Sequence, residues 1–410
     1  MAPGTRDALF ARPRRTATAG GTMARLEDRS FETVKEIGRI NAFYQILPSL
    51  GNGWAARRPW EGLTVALNLH LTTLTACLVR ELALGGGHYV VSAANPATTD
   101  PGTVEYLRGQ GIEVYTGGDM ADRHLQVLDH EPDLLVDVGF GLIATLLDKR
   151  PEQAKRVRGA IEITRTGVTD LRTRDGLPFP VININDGRLK DAVENRHGVG
   201  EAMWQAVSRL TGMHLAGRRV AVVGYGPVGR GLATYARNAG MSAEVIETDP
   251  VRRLFAHYDG FPTPTLDDAI TRVGTLVTAT GAKAVVDAKR LADARSGLVL
   301  VNAGHGGDEI DLASIRQAAV RVDHVTEHVV RYLLEDGPVL TVLGDAHPLN
   351  IVLNSGSPEP VLLHYAVLGL TLEWLVGADV QSGESIVPDA IERQAALAAL
   401  GALDLSVAAP

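Results

Sequence analysis

The stretch VAVVGYGPVGRGLATYA (220–236) decides the fold. Val220–Val223 reads as a buried strand, and a helix-like pattern from about Val228 to Asn238 leads away from it. Between them Gly224, Gly226 and Gly229 stand in the G-x-G-x-x-G spacing, with Pro227 and Val228 filling the loop. The first glycine permits a tight turn, the second lets the backbone approach a pyrophosphate, and the third lets helix and strand pack closely. The helix start then faces the phosphate charge. Glu247 closes the next apolar run, where a carboxylate accepts ribose hydroxyls and repels a 2′-phosphate, so NAD is expected rather than NADP.

Outward from this loop, SAEVIETD (242–249), GTLVTATG (274–281) and GLVLVNAG (297–304) continue a series of strands separated by helix-length segments. An earlier series runs through LTVALNL (63–69), HYVVSAA (88–94), IEVYTG (112–117) and DLLVDVG (133–139). Such alternation implies βαβ units. The expected class is α/β, with two Rossmann-like, doubly wound parallel-sheet domains and an interdomain cleft as the ligand site. The expected division is a disordered tail over 1–22, with Met23 as an alternative start, and a substrate-binding domain over 23–197. A cofactor domain over 198–346 follows, then return helices over 347–385 and a shortened C-terminal segment over 386–410.

Composition narrows the function. The 410 residues carry 40 Lys+Arg against 48 Asp+Glu, a net charge of −8, which lacks the basic footprint of a nucleic-acid binder. The single cysteine, Cys77, excludes an intramolecular disulfide and suits a reducing compartment, so a cytoplasmic location is expected. The sequence reading finds no apolar run of membrane-spanning length, Glu373, Gly377 and Asp379 interrupting the nearest. No metal site is expected either. His324-Val-Thr-Glu-His328 fits H-x-x-E-H formally, but its flanks read as strands around an Asp-Gly turn, whereas the zinc pattern needs a helix.

The flanking segments together resemble the S-adenosylhomocysteine hydrolase family. The likeness rests on ALNLHLTTLTACLVREL (66–82), EITRTGV (162–168), FPVININDGRLKDAVENRHG (179–198), the glycine loop, VNAGHGGDEID (301–311) and the His347-Pro348 step, all in family order. It implies an enzyme in which bound NAD oxidises a nucleoside 3′-hydroxyl, so that the group on C5′ is lost across C4′–C5′ and the ketone is reduced again. By resemblance, Lys190 contacts the 3′-hydroxyl with Glu194 as its partner, and His70 and His305 lie near C5′. Thr164, Arg165, Thr166, Asn195, Thr278, Thr280, Gly304 and Thr341 border the cofactor, and Thr72, Leu74, Asp137, Ile163 and His347 border the substrate. The partner implied is a small-molecule nucleoside, bound by a homodimer or homotetramer, with no nucleic acid and no membrane.

The departures from the family pattern carry as much information. Ile163 stands where the family has the glutamate that holds the ribose 2′-hydroxyl, and Val138 and Gly141 replace two aspartates of its LDDGGD, leaving Asp137. Leu74 replaces a polar residue at the base, and LDLSVAAP (403–410) has no counterpart of the family's DHYRY ending. Glu162 is read as structural, because neighbours on a strand face opposite ways. A hydroxyl-specific site penalises ligands that leave its polar groups unpaired. The expectation is therefore a changed substrate and a nucleoside dehydratase that forms a 4′,5′-ene, as nucleoside antibiotics of the angustmycin type require. True S-adenosylhomocysteine hydrolysis and a non-catalytic NAD- or nucleoside-binding regulator are the alternatives.

Overall fold

A computed structural model describes residues 19–304, 307–335 and 337–403. Six strands form first: β1 (Thr64–Leu69), β2 (His88–Ala93), β3 (Glu113–Tyr115), β4 (Leu134–Asp137), β5 (Gly159–Glu162) and β6 (Pro180–Asn183). Seven more belong to a second sheet: β7 (Arg219–Val223), β8 (Ser242–Ile246), β9 (Thr275–Thr278), β10 (Leu298–Asn302), β11 (Ala319–Thr326), β12 (Val329–Leu334) and β13 (Val339–Leu343). The last, β14 (Gly383–Ile386), returns to the first sheet, whose order is β14-β6-β5-β4-β1-β2-β3 with every pairing parallel. The second sheet runs β11-β12-β13-β10-β9-β7-β8, parallel except where β12 pairs with its neighbours. Both are the doubly wound sheets that the alternating pattern implies.

Each sheet reverses its winding beside its own first strand, the first between β1 and β4 and the second between β7 and β9. Ligands bind at such switch points, outside the carboxyl ends of the strands. The glycine loop follows β7 and His70 follows β1, so both recognition elements sit at these positions.

Two sequence expectations change. The first helix, Ala19–Phe43, begins inside the expected 1–22 tail, whose residues 1–18 lie outside the described part. At the other end, β14 pairs with β6, and the helix Asp389–Ala402 packs on the unit built around the first sheet, with Glu392 accepting the Leu189 N–H at 2.8 Å. The helix Glu359–Gly377 does have the length and apolarity to cross a membrane, at mean hydropathy 1.4, yet 72% of that window is buried inside the protein. It is the core helix of the unit built around the first sheet, where Gly369 lies against Trp54 and Leu375 against Gly159.

The chain crosses between the sheets twice. The first crossing is a nine-residue π-helix, Lys190–Gly198, running into the α-helix Val199–Thr211. The wide i→i+5 winding is rare and is found mostly at functional sites. The second crossing passes through Gly344, Asp345 and Ala346, all left-handed at φ +60°, +50° and +62°. For the two non-glycine residues that conformation costs roughly 1–2 kcal/mol each.

Candidate active site

The cofactor side is built from backbone. Gly224 turns at φ +99°, and a Cβ there would meet the Ala279 carbonyl oxygen at 2.5 Å. A Cβ on Gly229 would lie 2.0 Å from the Gly224 oxygen, whereas one on Gly226 would enter open space. The helix Pro227–Asn238 starts there with no side-chain cap. Glu247 is fixed by the N–H groups of Tyr225 at 2.7 Å, Thr248 at 2.7 Å and Asp249 at 2.9 Å. Oε2 accepts only the Tyr225 bond and so keeps a lone pair for a hydroxyl. A glycine cradle open at Gly226, with a pre-set carboxylate at the neighbouring strand end, fits a dinucleotide.

Around this cradle the other cofactor candidates divide. Thr278 is fully buried; its hydroxyl bonds to Asn302 at 3.2 Å, and Asn302 in turn bonds the Gly304 N–H and the Ala346 oxygen. Thr280 bonds the buried Glu309 through its N–H and its hydroxyl, both at 2.9 Å. These residues brace the strand ends. Thr341 stands within β13, two residues short of the rim that the strand ends define, so it does not join them. His305 lies outside the described residues.

The connector joins the two halves at atomic contact. A Cβ on Gly231 would lie 2.0 Å from the Arg196 oxygen, and one on Gly200 would lie 2.9 Å from the Gly231 carbonyl carbon. The π-helix therefore presses against the helix of the glycine loop and carries Lys190, Glu194 and Asn195 to it. Lys190 and Glu194 form an ion pair and are mostly buried, at 11% and 14% side-chain exposure.

The substrate side gathers at the strand ends of the first sheet. His70 Nδ1 lies 2.6 Å from the Thr98 hydroxyl, and its carbonyl accepts the Thr75 hydroxyl at 2.5 Å. Thr75 also meets the Tyr365 hydroxyl at 3.1 Å. Burial, and then the Glu194 charge, push the Tyr365 phenol up from its usual range. Next to it His364 is enclosed, with no hydrogen-bond partner on either ring nitrogen; burial and the Lys190 charge hold its pKa well below the usual histidine range. Thr98, His364 and Tyr365 carry no motif, and Thr75 has no assigned role within the 66–82 segment; only the packing of the helix Glu359–Gly377 against the connector brings His364 and Tyr365 in.

Beneath the rim a polar row crosses the sheet in register: Ser92, Asn68, Asp137, Glu162 and Asn183. Asp137 is fully buried, accepting from Asn68 and from the Ile143 N–H, both at 2.8 Å. This is a correction to its expected place against the substrate: alternation along β4 turns the side chain inward. Thr164 likewise spends its hydroxyl on Glu162, at 2.7 Å, and on the Gly167 N–H. Arg165 is exposed and bonds Asp186, while Thr166 is half-buried on the same short helix.

Ile163 and Val138 are each 7% exposed and belong to one apolar cluster with Ile184 and Leu363, and Leu74 packs against it. Two positions that the resemblance assigns to carboxylates are thus apolar and buried. A cleft of about 920 Å³ lined by Thr72, Thr98, Arg39, Asn354, Glu327 and His328 opens at the carboxyl-end rim of the first sheet. The last two come from the turn between β11 and β12, so the H-x-x-E-H segment is a hairpin, as its flanks imply, and its tip reaches the cleft. His347 is half-buried on the second crossing, against Gly307.

Burial drives both carboxyls of the row up from their usual range, and the Asp137 charge raises Glu162 further, to about 8. A carboxyl whose folded pKa exceeds its unfolded value gives stability that is whole below the unfolded value and is lost as pH rises through the folded one. Glu162→Gln has no such titration. The stability advantage of the wild type over this variant is expected to shrink from about pH 5 to about pH 9 in urea unfolding; an advantage that grows would contradict the shift.

Two doubly wound domains with a glycine cradle on one, a buried lysine–carboxylate pair between them and a polar rim on the other fit a dinucleotide-dependent enzyme. The NAD-binding domain model of S-adenosyl-L-homocysteine hydrolase matches residues 195–356. The chain is 34% identical to an S-inosyl-L-homocysteine hydrolase of Methanopyrus kandleri over 363 residues, 86% of each protein. It is 34% identical to an adenosylhomocysteinase of Thermosynechococcus vestitus over 374 residues, 88% of this chain and 87% of that one. The chain belongs to the S-adenosyl-L-homocysteine hydrolase family, as a divergent member, and its cofactor is NAD.

Proposed function

We propose that the chain is an NAD-dependent nucleoside dehydratase, which loses the C5′ substituent of a nucleoside across C4′–C5′ and releases the unsaturated sugar. The observation that carries this reading is the apolar burial of Val138 and Ile163 in a chain that keeps the Lys190–Glu194 pair. NAD, when bound, supplies reversible oxidation of the sugar hydroxyl. Lys190, held by Glu194, orients the 3′-hydroxyl, whose proton the Glu194 carboxylate accepts, and His70, steadied by Thr98, serves the leaving group at C5′. With Val138 and Ile163 at positions that the resemblance gives to carboxylates, an ordinary 2′-hydroxyl would lose its partner, and water is less well held for re-addition.

The second reading is thioether hydrolysis, favoured by the relatives, which are named as hydrolases of S-adenosyl- or S-inosyl-homocysteine. Incubation of the holoenzyme with S-adenosylhomocysteine, S-inosylhomocysteine and 5′-hydroxy nucleosides separates the two. The dehydratase reading expects a 4′,5′-unsaturated product by mass spectrometry, with no thiol released from either thioether. Homocysteine released at catalytic turnover would refute it.

A further inference from the structure

At the rim opposite the cleft, where the strands of the first sheet begin, sheet register assembles a second cluster. β2 pairs with β3 so that Val90 faces Glu113 and Ser92 faces Tyr115. Alternation then places His88, Glu113 and Tyr115 on one face. The helix Met120–Leu128 covers that face, its Val127 and Leu128 sharing an apolar cluster with Val90 and with Tyr115 packed beside them. The turn after this helix delivers His130. His88 Nε2 lies 3.1 Å from Glu113 Oε1 and His130 Nε2 lies 3.5 Å from Glu113 Oε2. The Tyr115 hydroxyl is 2.7 Å from His130 Nε2 and donates to Glu113 Oε2 at 3.1 Å.

We propose that His88, Glu113 and His130 form a binding site for a divalent transition metal of zinc type, separate from the cleft. One ligand atom from each of the three lies within 4.8 Å of the others. Zinc bonded at about 2.0–2.1 Å sets its tetrahedral corners about 3.3 Å apart, so the histidine–carboxylate separations already match ligand spacing. Two imidazoles with one carboxylate select zinc, cobalt or nickel over magnesium or calcium, which prefer all-oxygen sets. Among the described residues the ion-pair partners of Glu113 are these two histidines, with no lysine or arginine competing for its charge. The Tyr115 hydroxyl donates to Glu113 Oε2 and so orients the carboxylate. The metal would clip the three-residue edge strand β3 to β2 and to the turn before β4. Three ligands at 88, 113 and 130 fit no local spacing, and only the parallel register joins them, which is why the sequence reading expects no metal.

Tag-free holoenzyme, stripped with a chelator and titrated with Zn2+ against a chromophoric competitor, is expected to bind one equivalent at this site. His88→Ala, His130→Ala and Glu113→Gln should each weaken that binding at least about tenfold, whereas Tyr115→Phe should keep the stoichiometry. Turnover and circular dichroism of all four should match the wild type, because the cluster is remote from the cleft. Unchanged zinc affinity in the histidine variants would overturn the proposal. The unmutated protein gives an independent reading with Co2+: an intense visible band of a four- or five-coordinate ion supports the site, and the weak spectrum of the hydrated ion overturns it.

Discussion

Lys190→Ala is expected to lower turnover by about 10²–10⁴-fold, the range for removing a positioned acid–base group. Substrate affinity should change far less. The substitution also strands Glu194, which is 14% exposed and loses its paired cation. Breaking a buried ion pair at one end costs up to roughly 3–5 kcal/mol, because the remaining charge has no compensation. The double variant Lys190→Ala/Glu194→Gln separates the two effects: unfolding stability should recover toward the wild type while turnover stays lost. Turnover that returned together with stability would show that the pair only holds the connector. Turnover near the wild-type rate in the single variant would remove Lys190 from the chemistry.

Gly231→Ala should be nearly as damaging, although Gly231 is not one of the three fingerprint glycines. Its Cβ would stand 2.0 Å from the Arg196 oxygen, and because the obstacle is backbone no rotamer change relieves it. The helix Pro227–Asn238 must move away from the connector, carrying the cofactor loop away from Lys190 and Asn195. Overpacking of this kind costs about 1–3 kcal/mol. A displacement near 1 Å between reacting groups costs about 10²-fold in rate. Gly226→Ala is the contrast, because its Cβ meets open space and its φ of −69° suits any residue. That variant should melt like the wild type yet co-purify with much less NAD, since the methyl occupies the approach to the pyrophosphate. Gly231→Ala should instead lose stability and turnover together. Equal NAD content in Gly226→Ala and wild type would refute the cradle.

The sequence makes the cofactor half legible because its signals are local: strand, glycines, helix and terminal acid fall within about thirty residues, as in any βαβ unit. The order of the first sheet and its carboxyl-end rim follow from the same alternation. Other features depend on distant partners. β14 is GESI, three half-exposed residues and the exposed Ile386, with no apolar alternation, and it is a strand only because the edge of β6 accepts it. The π-helix is charged and reads as a polar connector; its winding answers to packing between the two halves. Asp137 sits at a strand end, where ligand contact is the natural expectation, but the pleat turns it into the buried row. His364 shows nothing local at all. Its neighbourhood exists only once the helix Glu359–Gly377 lies across the connector.

The path of the chain also sets an order of assembly. All seven strands of the cofactor sheet lie between the sixth and last strands of the other sheet, as one uninterrupted insertion. During synthesis the inner unit is complete and able to fold while the outer one still lacks its core helix and closing edge strand. The face of the first sheet that awaits Leu362–Leu375 is therefore bare for the time needed to translate the insertion, and it is the part of the nascent protein most in need of a chaperone. A chain that stalls before residue 359 carries a finished cofactor domain on an unclosed sheet, competent to hold dinucleotide and exposed to aggregation.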